Sequence, residues 1–138
     1  MDKKEIVLDT VEMISQLMGE LESQAFESEG FSEITMRQML YLETIDFLGT
    51  PTFSDLAEHL RVTLPSVSGI IKRLIHLGYV QKQQSADDGR VYFLSLTEKG
   101  LRFNDLHDEV HKILAQRIIK NLKDEEIEDL AELLSKIT

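Results

Sequence analysis

Residues 52–100 read TFSDLAEHLRVTLPSVSGIIKRLIHLGYVQKQQSADDGRVYFLSLTEKG, and this stretch decides the fold. Within it, residues 63–76 predict a helix, because Thr63 is a favourable N-cap and Pro65 suits an early helical position. At about 100° per residue, one side of this helix is apolar and the other carries small, hydroxyl and basic side chains. The apolar set is Val67, Ile70, Ile71 and Leu74; the other set is Pro65, Gly69, Lys72, Arg73 and His76, with Ser66 and Ser68 at the margins. A helix with these two sides has the chemistry to enter a groove of DNA.

A shorter helix precedes this one. Thr52 followed by Asp55 is a capping signal, and the apolar residues Leu56, Ala57 and Leu60 share one face after it. Arg61 and Val62 leave room for only a tight turn before Thr63. Two short helices joined in this way predict a helix-turn-helix unit.

A β-hairpin is predicted directly after the second helix. Gly78 favours a left-handed helix stop, and residues 79–84 and 91–96 have the pattern of strands around a polar turn. Arg90 stands at the edge of that turn. A helix-turn-helix followed by a hairpin is a winged helix, whose wing would place Arg90 in the minor groove, where the negative potential favours a guanidinium.

Further helices are predicted on both sides of this unit, at residues 3–25, 35–47, 97–121 and from 123 onward. The first has a continuous apolar seam at spacings of three and four residues, formed by Val7, Val11, Ile14, Met18, Leu21 and Ala25. The terminal helices offer enough apolar surface for a dimer interface. The expected fold class is mainly α with a small β-hairpin wing, an α+β winged helix-turn-helix flanked by N- and C-terminal dimerisation helices.

Charge is distributed unevenly along the 138 residues. The net charge is −10, yet residues 61–102 carry seven Lys or Arg against three Asp or Glu. Acidic flanks around one basic segment can orient a protein on DNA, although a fluctuation of this size also arises by chance. Absence of cysteine excludes thiol chemistry. No apolar run or leader indicates a membrane or an exported protein, so we expect a cytoplasmic one.

Five segments of the chain together form a known pattern: residues 55–57 (DLA), 67–74, 78–80 (GYV), 88–90 (DGR) and 96–100 (LTEKG). In these segments the chain resembles the MarR family of winged-helix transcription regulators, and the resemblance covers essentially the whole chain. It implies a single MarR-like domain, with residues 34–100 as the DNA-binding lobe and residues 1–30 and 101–138 as the dimerisation region. It also implies a homodimer on a pseudo-palindromic double-stranded operator, with DNA affinity often controlled by a small-molecule or acyl effector.

The family pattern assigns roles to individual residues. It implies that Lys72 and Arg73 follow the groove or reach phosphate, and that Arg90 is the minor-groove contact at the wing tip. Asp88 matches the acidic residue that holds this arginine by a charge-assisted hydrogen bond; the alternative is a solvated turn pair. The positions nearest to base edges or phosphates are Pro65, Ser66, Ser68 and Gly69. Because Gly69 and two serines face outward, the helix favours close approach over extensive base readout.

His107 and His111 stand four residues apart on the long helix, a spacing found in helical zinc sites. Two histidines do not complete such a site, so no metal site is expected, and the pair is interpreted as polar residues near the dimer and DNA lobes. No cofactor is expected to be required.

The interpretation is a homodimeric transcription regulator, and a repressor because occluding a promoter needs no further contact. One alternative is a winged helix that binds protein instead of DNA, and another is a zinc-responsive regulator that uses His107 and His111. An enzyme is not expected, because nucleophile-elbow, phosphate-loop and zinc-protease motifs do not occur.

Overall fold

The computed structural model describes residues 1–31 and 33–138, and in that part of the chain it contains six helices and a two-stranded sheet. The elements are α1 (Lys3–Glu27), α2 (Met36–Leu48), α3 (Phe53–Leu60), α4 (Leu64–His76), β1 (Val80–Gln84), β2 (Tyr92–Leu96), α5 (Glu98–Asn121) and α6 (Asp124–Ser135). The predicted fold class, a mainly helical winged helix-turn-helix with a β-hairpin, is confirmed. None of the helices in the described residues is long and apolar enough to cross a membrane.

The chain divides into two compact units. One comprises residues 29–105, and the other comprises residues 1–28 together with residues 106–138. The lobe predicted at residues 34–100 lies inside the first unit, which extends five residues further at each end. We refer to residues 29–105 as the winged-helix unit and to the other as the helical unit.

Reciprocal side-chain caps start two helices of the winged-helix unit. Asp55 donates its backbone N–H to Thr52 Oγ1 at 3.1 Å, and Thr52 donates its own to Asp55 Oδ2 at 2.9 Å. Thr35 and Gln38 exchange the same pair of hydrogen bonds at the start of α2. Each box provides partners for amides that have none within the helix, which places the helix start at a defined residue.

The turn between α3 and α4 is tight because one residue adopts a left-handed conformation. Arg61 has φ 55° and ψ 47°, so α3 ends at Leu60 and α4 begins only four residues later. Gly78 has φ 87° and follows the end of α4, as the sequence predicts. Glycine adopts this backbone conformation without the steric cost that a Cβ would add.

The core of the winged-helix unit comes from every one of its elements. Tyr79 lies at its centre, with its ring 5.9 Å from those of both Phe31 and Phe103. These three rings pack at tilted or edge-on angles, the arrangement that aromatic quadrupoles favour. The other side chains that are 0–2% exposed are Tyr41, Leu42, Ile45, Leu56, Val67, Ile71, Leu74, Val80 and Leu94.

The two strands form an antiparallel hairpin in which Val80 pairs with Leu96 and Gln84 pairs with Tyr92. A third segment attaches to it, because Leu94 donates its N–H to the carbonyl of Pro51 at 2.8 Å. The base of the wing is therefore fixed to the linker between α2 and α3.

In the helical unit, α1 and α6 leave apolar side chains exposed. Val7, Val11 and Ile14 of the predicted seam are 54–56% exposed, and α6 contains no buried residue. Leu133, Leu134 and Ile137 are exposed at the C-terminal end. Contiguous apolar rows of this kind mark a surface that packs against another molecule.

Candidate nucleic-acid interface

The outward side of α4 is a small, basic surface. Val67, Ile71 and Leu74 are fully buried, and this burial directs the opposite side of the helix to solvent. The structure places on the exposed side the predicted contact residues Pro65, Ser68, Gly69, Lys72 and Arg73. A Cβ built at Gly69 would meet no atom within 4 Å, so the backbone there is open to a close partner.

Ser66 differs from its neighbours because it is half-buried and already engaged. Its Oγ accepts a hydrogen bond from Thr63 Oγ1 at 2.9 Å, and its backbone N–H donates to the same Thr63 oxygen at 3.3 Å. The prediction that Thr63 is the N-cap of α4 is thus confirmed. The Ser66 hydroxyl retains one proton to donate but has a fixed position.

Lys82 of β1 adds a second ammonium group beside Lys72. Both side chains line a surface hollow of about 370 Å³ between α3, α4 and β1, which also includes Phe53, Ser68, Ile71 and Ile75. The Lys82 ammonium lies 4.7 Å from the centroid of the Tyr92 ring, a cation–π distance. The alternation of residues along β1 does not show which residues of α4 lie near Lys82. The position of Lys82 beside Lys72 is therefore known only from the structure.

At the wing, Asp88 holds Arg90 differently from the prediction. Asp88 Oδ1 accepts a hydrogen bond from the backbone N–H of Arg90 at 2.9 Å. Within the described residues, no ion pair joins the Asp88 carboxylate to the Arg90 guanidinium. The reason is local geometry, because an Asp side chain readily caps the amide two residues later in a turn. Asp88 therefore shapes the turn, and the guanidinium extends into solvent.

A hydrogen-bonded cluster fixes the corner between α4 and β1. The buried Tyr79 donates its hydroxyl to Glu33 Oε1 at 2.7 Å, and Lys99 lies 3.5 Å from the same oxygen. Burial raises the pKa of Glu33, but the hydrogen bond from Tyr79 and the charge of Lys99 outweigh it, so this pKa lies below its usual value. Burial and the Glu33 carboxylate raise the pKa of Tyr79. The pair is thus a neutral donor and a charged acceptor at neutral pH.

Lys99 completes this corner by donating to the carbonyl of Leu77 at 3.0 Å, directly after α4. Its ammonium also lies 4.5 Å from the centroid of the Tyr79 ring. Glu33 and Tyr79 are 46 residues apart in the chain, so no local pattern could have identified the cluster. Its consequence is a fixed position for the C-terminal end of α4 relative to the wing.

In the helical unit, His107 and His111 lie close together, with ring centroids 4.6 Å apart. The ring of Phe26 stacks parallel to that of His107 at 6.4 Å. Across residues 1–31 and 33–138, no group of three His, Cys, Asp or Glu side chains is arranged to hold a metal ion. Zinc binding by the two histidines stays an alternative to the predicted absence of a metal site.

Known proteins with similar sequences support the winged-helix interpretation. The sequence profile described as "MarR family" matches residues 34–92. A relative from Bacillus subtilis (strain 168), described as an uncharacterized HTH-type transcriptional regulator, YfiV, is 32% identical over 104 residues. Residues 34–92 of the chain form a MarR-family domain. That match covers 75% of this chain and 64% of YfiV, so the chain spans less than two thirds of this relative's length.

Two solved structures resemble the chain over nearly its whole length. The crystal structure of Streptococcus pneumoniae FabT in complex with DNA has a TM-score of 0.80 and 27% identity, and covers 99% of this chain and 94% of FabT. Wild-type MarR from E. coli in its apo form has a TM-score of 0.63 and 26% identity, with 94% of each chain covered. The MarR fold therefore extends beyond the profile match into the flanking helices.

Proposed function

We propose that this MarR-family protein is a transcription regulator that binds double-stranded DNA as a homodimer. The observation that carries the proposal is the exposed side of α4, where Gly69 and Ser68 precede Lys72 and Arg73 on one open surface. The basic segment of an otherwise acidic chain contains this surface. The similarity to FabT, which was crystallised with DNA, supports the same function.

On DNA, the N-terminal turns of α4 enter the major groove and the wing follows the backbone to the adjacent minor groove. Pro65, Ser68 and Gly69 allow close approach, while Lys72 and Arg73 reach phosphates or base edges. Arg90 provides the guanidinium for the minor groove, where the narrow width concentrates negative potential. Asp88 shapes the turn that presents Arg90 and does not itself contact the phosphates of DNA.

The exposed apolar rows of α1 and α6 support the homodimer. A two-fold dimer binds a pseudo-palindromic operator, because its two α4 helices enter successive major grooves roughly 34–36 Å apart. A small-molecule or acyl effector that favours another spacing would release DNA by shifting the population of the dimer away from this state.

The regulator is proposed to act as a repressor in the cytoplasm, where it occludes a promoter by occupying its operator. Its relatives are named as transcriptional regulators, which supports a role without catalysis. Sequencing the DNA fragments that the protein retains from its own genome identifies the operator.

Substitution of Arg90 or Lys72 by alanine is expected to weaken operator binding. Each variant should bind roughly 5- to 150-fold more weakly, the factor that corresponds to about 1–3 kcal/mol per specific contact. Lys72→Ala also reduces the salt slope, since alanine neutralises no phosphate and the complex then releases fewer counterions when it forms. Fluorescence anisotropy with the operator at several salt concentrations measures both quantities.

The matched control is Arg117→Ala, which removes an equal charge from an exposed position outside the basic segment. It should leave affinity and salt slope unchanged. A protein-interaction module that does not bind DNA predicts no salt-dependent binding to any duplex, and that result would replace the proposed function.

Gly69→Ala should separate folding stability from DNA affinity. Because nothing lies within 4 Å of the added methyl group, alanine should stabilise the helix by about 0.5–1 kcal/mol. The same methyl group should weaken binding if α4 presses against DNA, at about 1–3 kcal/mol for a crowded contact. Thermal unfolding and anisotropy report the two effects. Gly19→Ala, which also adds a methyl group in open helix surroundings, should stabilise without changing affinity, and equal affinities for all three proteins would exclude close approach at Gly69.

A further inference from the structure

The loop at the tip of the wing, residues 85–90, is held by a side chain from the strand that precedes it. Gln84, the last residue of β1, donates its Nε2 amide to the carbonyl oxygen of Gly89 at 2.7 Å. This hydrogen bond crosses the loop and ends on the residue immediately before Arg90. It therefore ties the far limb of the loop, which carries the guanidinium, to the edge of the sheet.

Shorter hydrogen bonds close the rest of the tip. Ser85 Oγ accepts from the backbone N–H groups of Asp87 and Asp88 at 3.2 and 3.4 Å. Ser85 donates its own N–H to the carbonyl of Val91 at 2.8 Å. These contacts lie within residues 85–88, the first part of the loop, and join it to Val91, directly before β2. The bond from Gln84 is the side-chain contact that reaches across to Gly89.

Glycine at position 89 leaves space for this contact. A Cβ there would lie 3.0 Å from Gln84 Nε2, closer than side chains normally approach. A larger residue would displace the amide or move the loop. Gln84 and Gly89 are thus complementary in shape as well as in hydrogen bonding.

From this arrangement we infer that Gln84 is a positioning residue, which orders the wing before DNA arrives so that Arg90 is already aimed. The inference rests on the proposed function. Ordering a flexible loop on binding costs conformational entropy, and a loop that is ordered in the free protein has met that cost already. Gln84 is neutral, so it acts on affinity without neutralising a phosphate.

The first experiment examines the free dimer. Amide hydrogen exchange of Arg90 and Val91, whose N–H groups both donate to Asp88, should be faster in Gln84→Ala than in the wild-type protein when measured by NMR. Gln84→Lys retains an N–H donor of similar reach and should restore slow exchange. Gln83→Ala is the matched control, because it shortens an adjacent, exposed glutamine that makes no hydrogen bond to the loop among the described residues. Unchanged exchange in Gln84→Ala would overturn the inference whether or not the protein binds DNA.

The second experiment is a double-mutant cycle on operator affinity. Gln84→Ala should bind the operator roughly 5-fold more weakly per wing, the factor for one hydrogen bond of about 1 kcal/mol. Its salt slope should equal that of the wild type. In an Arg90→Ala background the same substitution should have no further effect, because its benefit passes through Arg90. An equal loss in both backgrounds would mean that Gln84 contacts DNA itself and would overturn the inference. If the wild-type protein binds no operator, the proposed function is wrong. The exchange result still decides whether Gln84 orders the loop.

Discussion

Val11→Glu is expected to separate the homodimer into monomers and to remove high-affinity operator binding. Val11 lies in the middle of the apolar seam of α1 and is 56% exposed in the single chain. Its neighbours in the seam, Val7 and Ile14, are exposed to a similar degree. Burying an unpaired carboxylate in an apolar interface costs several kcal/mol, and a two-fold dimer would bury two of them.

The effect on DNA should exceed that of any single contact residue. Two linked half-site contacts bind more tightly than one by roughly 10²- to 10⁴-fold, because the second contact is intramolecular. The monomer loses this advantage while its α4 and wing remain intact. Light scattering after size-exclusion chromatography gives the mass, and anisotropy with the operator gives the affinity.

Gln16→Glu provides the control for charge. It introduces the same charge on α1, but about 180° around the helix from the seam at 100° per residue. This variant should remain dimeric and bind the operator normally. A dimeric Val11→Glu protein with wild-type affinity would show that the seam is not the interface.

Most of the winged-helix unit was predictable because its signals are local. The Thr52 and Asp55 cap, the N-cap at Thr63 and the left-handed Gly78 each depend on residues within a few positions of one another. The burial of Val67, Ile71 and Leu74 follows from helical periodicity alone. These features fix α3, α4 and the start of the hairpin from the sequence.

The geometry of the wing was less predictable, because one residue type can make several hydrogen bonds. The sequence places Asp88 beside Arg90 but does not show whether the carboxylate binds the guanidinium or the backbone amide. The bond from Gln84 to Gly89 follows no common motif. Such choices depend on the path of the loop, which is set by strand register and by turn closure together.

Long-range contacts were not predictable at all. The hydrogen bond between Tyr79 and Glu33 joins residues 46 positions apart. The hollow lined by Lys72 and Lys82 also includes Phe53, which lies on an earlier helix. Gly100 is a further case, because its position in a helix suggests no requirement for glycine. In the structure it lies against the backbone of Tyr79, and this contact gives the residue a steric role.

Gly100→Ala is accordingly expected to destabilise the protein, although alanine normally favours a helix. A Cβ at this position would overlap the carbonyl oxygen of Tyr79 and lie 3.3 Å from Leu96 Cβ. The carbonyl cannot move freely, because it accepts the N–H of Thr97 at 3.1 Å. Forcing an extra methyl group into a packed site costs about 1–3 kcal/mol.

Gly19→Ala makes the matched comparison, since the same methyl group at that helical position meets nothing within 4 Å. Gly19→Ala should raise the free energy of unfolding by about 0.5–1 kcal/mol. The two substitutions should therefore change stability in opposite directions. Chemical denaturation at one protein concentration measures both, because the stability of a dimer depends on concentration. If Gly100→Ala were as stable as the wild type, the first turn of α5 could not be packed against Tyr79 as closely as described. A destabilised variant that still binds the operator when folded would show that Gly100 serves the fold of the winged-helix unit and makes no contact with DNA.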